Sequence, residues 1–277
     1  VFIATLVAKE RLSAGDISVA CDVVTGWAGS VTDGVACDIQ HANSDRKALE
    51  AALPHIDVIV QREGDRHRKL LIADMDSTMI TVECIDELAD YVGLKTQVSE
   101  VTERAMRGEL DFAKALRSRV ALLAGVSEAT VAECLRERVK LMGGAADLIA
   151  AFKAAGGRAV LVSGGFTHFT DSVAEQIGFD RAIANRLVVK DGALTGEVEF
   201  PIVDAQTKRE TLIAEAAALG IPLSATVAIG DGANDIPMIE AAGLGVAYHA
   251  KPKTEAAADA SVRFGDLNVV RYALGLN

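Results

Sequence analysis

Four short aliphatic runs recur from residue 69 onward, with segments of helical pattern between them: "KLLIAD", "GRAVLVS", "TVAIGD" and "GLGVAY". None of them alternates strictly between apolar and polar residues. Short apolar strands interleaved with helices predict an α/β fold whose parallel sheet is covered on both faces. In open sheets of this kind ligands sit beyond the carboxyl ends of the strands. Three of the four runs end in chemically capable residues, namely Asp74, Ser163 and Asp231.

One interval breaks the rhythm. Roughly 80 residues separate "LLIAD" from "AVLVS", too many for one crossover helix. Between Glu83 and Leu141 the pattern is helical, with Ser127 as a cap of its last segment. A helical cap inserted at about residues 81–142 is expected, placed as a lid that excludes water from the strand ends. "ANRLVVKDGALTGEVEF" holds a hairpin turn at Asp191-Gly192, expected to add an antiparallel excursion to the sheet.

Residues 1–66 read as a separate small α+β unit ahead of a main domain at 67–277. "VFIATLV" and "IDVIVQ" predict strands, "DISVACDVV" fits a helix, and "NSDRKALEAAL" predicts a helix capped by Asn43 or Ser44. The polar stretch "QREGDRHRK", residues 61–69, suits a short linker. The opening run lacks a basic lead-in and a cleavage site, so a first strand is expected there rather than a secretion signal.

A net charge of −11 with no basic stripe argues against nucleic acid as a partner. No apolar run approaches a membrane span. The cysteines at 21, 37, 84 and 134 form no CxxC pair, which predicts reduced thiols in a cytoplasmic protein and no cysteine metal site.

The apolar stretch "LLIADMDSTMI" runs into two acids two positions apart. If the chain stays extended, Asp74 and Asp76 share one side, about 6.6 Å apart. Asp231 and Asp235 of "GDGAND" add two more carboxylates at the same sheet edge. Such a cluster either raises its pKa values or binds a cation, and ligands that are all oxygen suit Mg²⁺. The bland alternative for "DMDST" is a solvated turn in which Ser77 or Thr78 caps a helix. "SGGF" offers the Ser163 hydroxyl and flexible amides ahead of a helix, an anion-friendly arrangement. Lys208 falls in a helix's first turn, where the dipole disfavours a cation, and a phosphate beside Asp235 would supply a partner. Arg119 lies about 20° from Phe112 on a helical wheel, within the arc that holds Leu116. An arginine in an apolar stripe is costly without an anion.

"DMDST", "SGG", a lysine at a helix start and "GDGANDIPM" together resemble the haloacid dehalogenase superfamily, and "VTERAMRGELDFAKALRSRVALL" narrows the resemblance to its phosphoserine phosphatases. The resemblance covers about residues 69–270. It implies a Rossmann-like core with a helical cap, and Mg²⁺-dependent hydrolysis of O-phospho-L-serine in serine biosynthesis. Asp74 is implied as the nucleophile, and Asp76 as general acid and then general base. The resemblance assigns Mg²⁺ to the Asp74 and Asp231 carboxylates and the Asp76 backbone carbonyl, with Asp235 supporting its waters. It assigns the phosphoryl group to Ser163, Gly164, Lys208 and Asn234. Glu83 and Arg119 would read the ammonium and carboxylate of serine, with Met106 and Phe112 closing over it.

The N-terminal unit resembles ACT-like regulatory modules, which implies amino-acid binding or pairing into a homodimer. Three other readings compete. A phosphotransferase of the same fold would hand the phosphoryl group to another amino alcohol. A phospho-aspartate signalling receiver is opposed by Asp76 and the cap. A catalytically silent amino-acid sensor is opposed by the intact chemical residues.

Overall fold

The computed structural model describes residues 1–43, 45–106 and 109–276, and of Met106 only the backbone. Near the N-terminus β1 (Phe2–Ala8), α1 (Ala14–Val24), β2 (Trp27–Thr32), β3 (Ala36–His41), α2 (Arg46–Ala52) and β4 (Ile56–Arg62) follow one another. They build an antiparallel sheet in the order β2-β3-β1-β4. α1 starts at a capping box in which Ser13 and Asp16 each bond the other's backbone N–H. The cap of α2 is Asp45, whose carboxylate accepts the Ala48 N–H, and not Asn43 as expected; Ser44 lies outside the described residues. β2 escaped sequence reading because the edge strand "WAGSVT" is exposed, and β3 because "ACDIQH" has only a short apolar pattern.

The polar stretch at 61–69 is a docked seam and not a slack linker. Gln61 donates to the Ala273 carbonyl at 2.7 Å, and Arg66 pairs with Asp38 at 2.6 Å while donating to the Tyr272 carbonyl. The buried Arg68 donates to the Ser224 carbonyl. Next to them the buried Asp57 carboxylate accepts the N–H groups of Arg263 and Gly265, both at 2.7 Å. Paired polar groups of this kind can be buried where lone ones cannot.

The main body runs through β5 (Leu70–Ala73), four cap helices, α3 (Cys84–Tyr91), α4 (Lys95–Met106), α5 (Phe112–Leu122) and α6 (Glu128–Arg138), and then α7 (Ala145–Ala154) and β6 (Arg158–Phe166). It continues with α8 (Thr167–Ile177), β7 (Arg181–Asn185), β8 (Leu187–Lys190), β9 (Ala193–Val198), α9 (Ala205–Ala218) and β10 (Thr226–Gly230). It closes with α10 (Ile236–Ala241), β11 (Leu244–Tyr248), α11 (Pro252–Ala257), β12 (Ala260–Val262) and α12 (Asn268–Ala273). The six-stranded sheet is parallel throughout, in the order β12-β11-β10-β5-β6-β7. β5 is wholly buried. Leu71 and Ala73 face one apolar cluster, while Leu70 and Ile72 face another on the opposite side. That two-sided burial is why the run lacks alternation.

β5 lies between β10 and β6, where the winding of the sheet reverses, and the crevice at such a switch point is where ligands bind. The cap leaves and rejoins the core through a neck, in which Ile80 bridges Leu141 and Met142 donates to the Met79 carbonyl. The expected hairpin forms, but β8 and β9 make their own two-stranded sheet rather than extending the main one. Gly125 donates to the Leu194 carbonyl and Leu194 to that of Val126, so the hairpin's backbone is spent on the cap's α5–α6 turn. Among the described residues no helix is long and apolar enough to cross a membrane.

Candidate active site

β5 ends at Ala73, one residue before the first acid. The chain then folds back so that the Met79 and Ile80 N–H groups both reach the Met75 carbonyl. The extended geometry expected for Asp74 and Asp76 is therefore replaced by a tight turn, yet both acids line the same cavity of about 110 Å³. The turn is not a solvated cap. Thr78 is buried and donates to Asp231 Oδ1 at 2.9 Å, and Ser77 donates to Glu83 Oε1 at 2.6 Å. Asp76 Oδ1 accepts the Cys84 N–H at 3.2 Å, which sets a carboxylate at the amino end of α3.

Lys208 organises the floor. It is fully buried in the first turns of α9, and its Nζ lies 2.7 Å from Asp74 Oδ2 and 2.7 Å from Asp235 Oδ1. The partners expected from a phosphate are thus already supplied by two carboxylates. Burial alone would lower the Lys208 ammonium, but Asp235 and Asp74 outweigh it and hold the pKa above its usual range. The other oxygen of Asp235 accepts the N–H groups of Asp231 (3.2 Å) and Gly232 (2.9 Å). Gly230 admits this contact, because a Cβ there would fall 2.4 Å from Asp235 Cγ.

Oxygen atoms of Asp74, Asp231 and Asp235 lie within 4.8 Å of one another, and the Asp76 carboxylate stands outside that group. Burial and then Asp235 raise Asp74 well above the carboxylate range, with Lys208 opposing them, and the same two causes push Asp231 up to about 6. Three hard oxygen donors held together at that electrostatic cost fit a divalent cation. Asp76 is pushed up to about 7 by burial and by Glu83.

The Ser163–Gly165 segment is braced by its neighbours. Ser163 stands inside β6 rather than at its tip, and its Oγ accepts the Gly165 N–H at 2.8 Å. A Cβ at Gly165 would lie 3.0 Å from both Ser163 Oγ and Asp76 Oδ2, so glycine leaves the approach open. Sequence reading missed Asn185. Buried at the end of β7, it donates to the Gly164 carbonyl at 2.8 Å and accepts the Val203 N–H at 2.8 Å. A lone Asn before an Arg carries no sequence signal for such a brace.

The cavity thus brings Asp74, Asp76, Asp231 and Asn234 together with Gly164 and the cap residues Glu83, Phe112 and Arg119. Ser163, Lys208 and Asp235 lie in direct contact with residues that line it. The side chain of Met106 lies outside the described residues. Arg119 is half-buried with its Nε unpartnered, and burial lowers its pKa against the pull of Asp86, Glu83 and Asp76.

A carboxylate at the tip of a central strand, a buried lysine and a cluster of acids under a helical cap define a phosphotransfer site. The model of the haloacid dehalogenase-like hydrolases matches residues 71–240, and the chain belongs to that family. Relatives within the family include phosphoserine phosphatases. That of Albidiferax ferrireducens is 49% identical over 205 residues, covering 72% of this chain and 86% of the relative. That of Streptomyces coelicolor is 48% identical over 83% of this chain, which spans only 56% of that longer protein. The crystal structure of a HAD family hydrolase from Salmonella enterica serovar Typhi superposes with a TM-score of 0.90 at 26% identity, covering 99% of both chains. The antiparallel N-terminal sheet therefore belongs to the shared architecture.

Proposed function

We propose that the chain hydrolyses O-phospho-L-serine to serine and phosphate, with Asp74 as the nucleophile and Mg²⁺ as the cation. The observation that carries this reading is the Asp74 carboxylate held between Lys208 Nζ and the Met75 N–H, both at 2.7 Å, in the lining of the cap cavity. Each oxygen is thereby fixed by one donor and keeps a lone pair for an incoming phosphoryl group, with a cation beside it. Phosphorus–oxygen bond formation at Asp74 breaks the bond to the seryl oxygen, which takes a proton from Asp76. In the second half-reaction Asp76 removes a proton from water, which releases phosphate and restores Asp74.

Asp74 and Asp231 would hold Mg²⁺ together with the Asp76 backbone carbonyl. Asp235 is already engaged by Lys208 and two amides, which suits it to a supporting role. The ion would supply charge neutralisation that lets an anionic ester approach three acids. The Ser163 hydroxyl, the Gly164 backbone and Asn234 suit the phosphoryl oxygens. Glu83 and Arg119 supply one charge of each sign for a zwitterion. Phosphate release from a panel of phosphomonoesters, before and after exhaustive chelation, tests the reading. Phosphoserine should lead the panel, with activity lost on chelation and restored by Mg²⁺; full turnover in chelator would end it.

Two further results are expected. Arg119→Ala should cost roughly 10- to 100-fold in kcat/KM for phosphoserine, the scale of a charge-assisted hydrogen bond, through KM, and leave glycerol 2-phosphate unchanged. An unaltered preference between the two esters would remove Arg119 from recognition.

The pH profile reports on Asp76. Its pKa of about 7 keeps it protonated below neutrality, so the leaving-group step should weaken as pH rises through 7. Asp76→Asn should lower turnover of phosphoserine by about 10²- to 10⁴-fold and flatten that alkaline limb. An aryl phosphate, whose leaving group needs no proton, should lack the limb even in the wild type.

For the N-terminal unit, the βαββαβ order supports the ACT-like reading. The exposed edge strand β2, with Trp27 and Val31 outward, favours pairing with a second copy. Four free cysteines and a biosynthetic reaction favour a cytoplasmic location.

A further inference from the structure

We propose that Ser77 is a positioning residue that holds the Glu83 carboxylate at the cavity and thereby sets the preference for amine-bearing phosphoesters. The inference rests on the reading of Glu83 as the group that faces the substrate ammonium.

Three observations carry it. Ser77 has φ +54°, a left-handed backbone conformation that glycine adopts at no steric cost and a serine does not. Its N–H donates to the Val82 carbonyl at 3.2 Å, closing the loop that leads into the cap, and glycine would serve that turn equally well. The turn therefore does not account for a serine here, and the structure shows what its hydroxyl does in the 2.6 Å hydrogen bond from Ser77 Oγ to Glu83 Oε1.

Glu83 is the residue from which α3 starts, yet its side chain makes no cap hydrogen bond to that helix. A carboxylate at this position ordinarily competes for the orphan N–H groups of its own first turn. Here the neighbouring carboxylate of Asp76 takes the Cys84 N–H, and Ser77 draws Glu83 the other way, over the cavity that both acids line. With Oε1 tied to the hydroxyl, Oε2 has no hydrogen-bond donor among the described residues and can accept from an ammonium. A flexible exposed glutamate is thus fixed before substrate arrives, which reduces the ordering cost of binding.

Ser77→Gly is the sharpest test, because it keeps the turn and removes only the hydroxyl. KM for phosphoserine should rise about three- to tenfold, the scale of one hydrogen bond to a charged group, with kcat within about twofold. Both constants for glycerol 2-phosphate, which has no amine, should stay put, and thermal stability should not fall. Ser77→Ala should give the same KM effect, and because it keeps the Cβ that serine already carries at this φ it should leave the strain of the turn unchanged. In a Glu83→Ala background, Ser77→Gly should do nothing further.

Equal losses of kcat on both esters would overturn the proposal, because they would mean that Ser77 acts through Asp76 or the fold. An unchanged KM in Ser77→Gly beside a raised KM in Glu83→Ala would overturn it while leaving the Glu83 reading intact. If Glu83→Ala itself leaves the ester preference unchanged, the Glu83 reading is the one that fails, and the proposal falls with it.

Discussion

Asp74→Asn should reduce phosphoserine turnover by at least about a thousandfold, to the level that binding and charge stabilisation alone can sustain. The amide is nearly isosteric but cannot attack phosphorus. It also cannot satisfy both neighbours, because Asp74 accepts from the Met75 N–H at one oxygen and from Lys208 at the other. Turning an NH₂ toward either one sets donor against donor. Folding should survive the change. Asp74 is held above the carboxylate range by burial and by Asp235, so its charge is unfavourable once formed. A group raised in this way contributes stability at low pH that is lost as pH rises through its folded pKa. The neutral amide avoids that loss but forfeits the ion pair with Lys208, so the two effects oppose each other and the variant should still melt cooperatively. Phosphate release and a melting curve on the same preparation check both halves. Retained turnover would mean that another residue is the nucleophile.

Lys208→Met should be the most destabilising of the variants considered. The ammonium is fully buried between two carboxylates at 2.7 Å, and methionine keeps the volume of the chain while leaving Asp74 and Asp235 face to face. Removing one partner from a buried ionic set costs about 3 to 5 kcal/mol, which for a chain of this length is a fall of roughly 10 °C in Tm. The loss should shrink as pH falls, because the Asp74 carboxyl left behind takes up a proton in place of the missing cation. Lys208→Arg should not rescue, since a planar guanidinium does not fit where a single Nζ bridges two oxygens. Melting curves across a pH series would show the effect. A variant as stable as wild type at pH 8 would mean that the lysine is not the charge that holds the site together.

These two expectations draw differently on sequence. Asp74 was legible from its place after "LLIA", because an aliphatic run that ends in a carboxylate is a local pattern. Lys208 was legible only as a cation in an unfavourable part of a helix. Its partners come from the turn after β5 and from the loop after β10, and no spacing in the chain reveals that they meet. Asn185 was invisible for the same reason, since its partners at Gly164 and Val203 lie 21 and 18 residues away. β7 and β12 went unread because they are short flanking strands at the two borders of the sheet, with little apolar pattern to mark them. The hairpin around Asp191-Gly192 was read correctly as a turn and wrongly as part of the main sheet. Turn chemistry is local, whereas the surface that a hairpin packs on is not.

The amino-acid sequence by itself determined the layered α/β architecture, the cap inserted after β5 and the acids at the strand tips. Strand burial, helix periodicity and turn chemistry act over a few residues and leave a mark in the letters. Tertiary structure alone decided which charges neutralise one another, that Ser77 would hold Glu83 and not cap a helix, and that Arg68 after β4 would be a buried anchor. Those outcomes depend on which groups the strand order brings within hydrogen-bond distance once water is excluded, and the energy of a buried polar group is set by the partner it finds there.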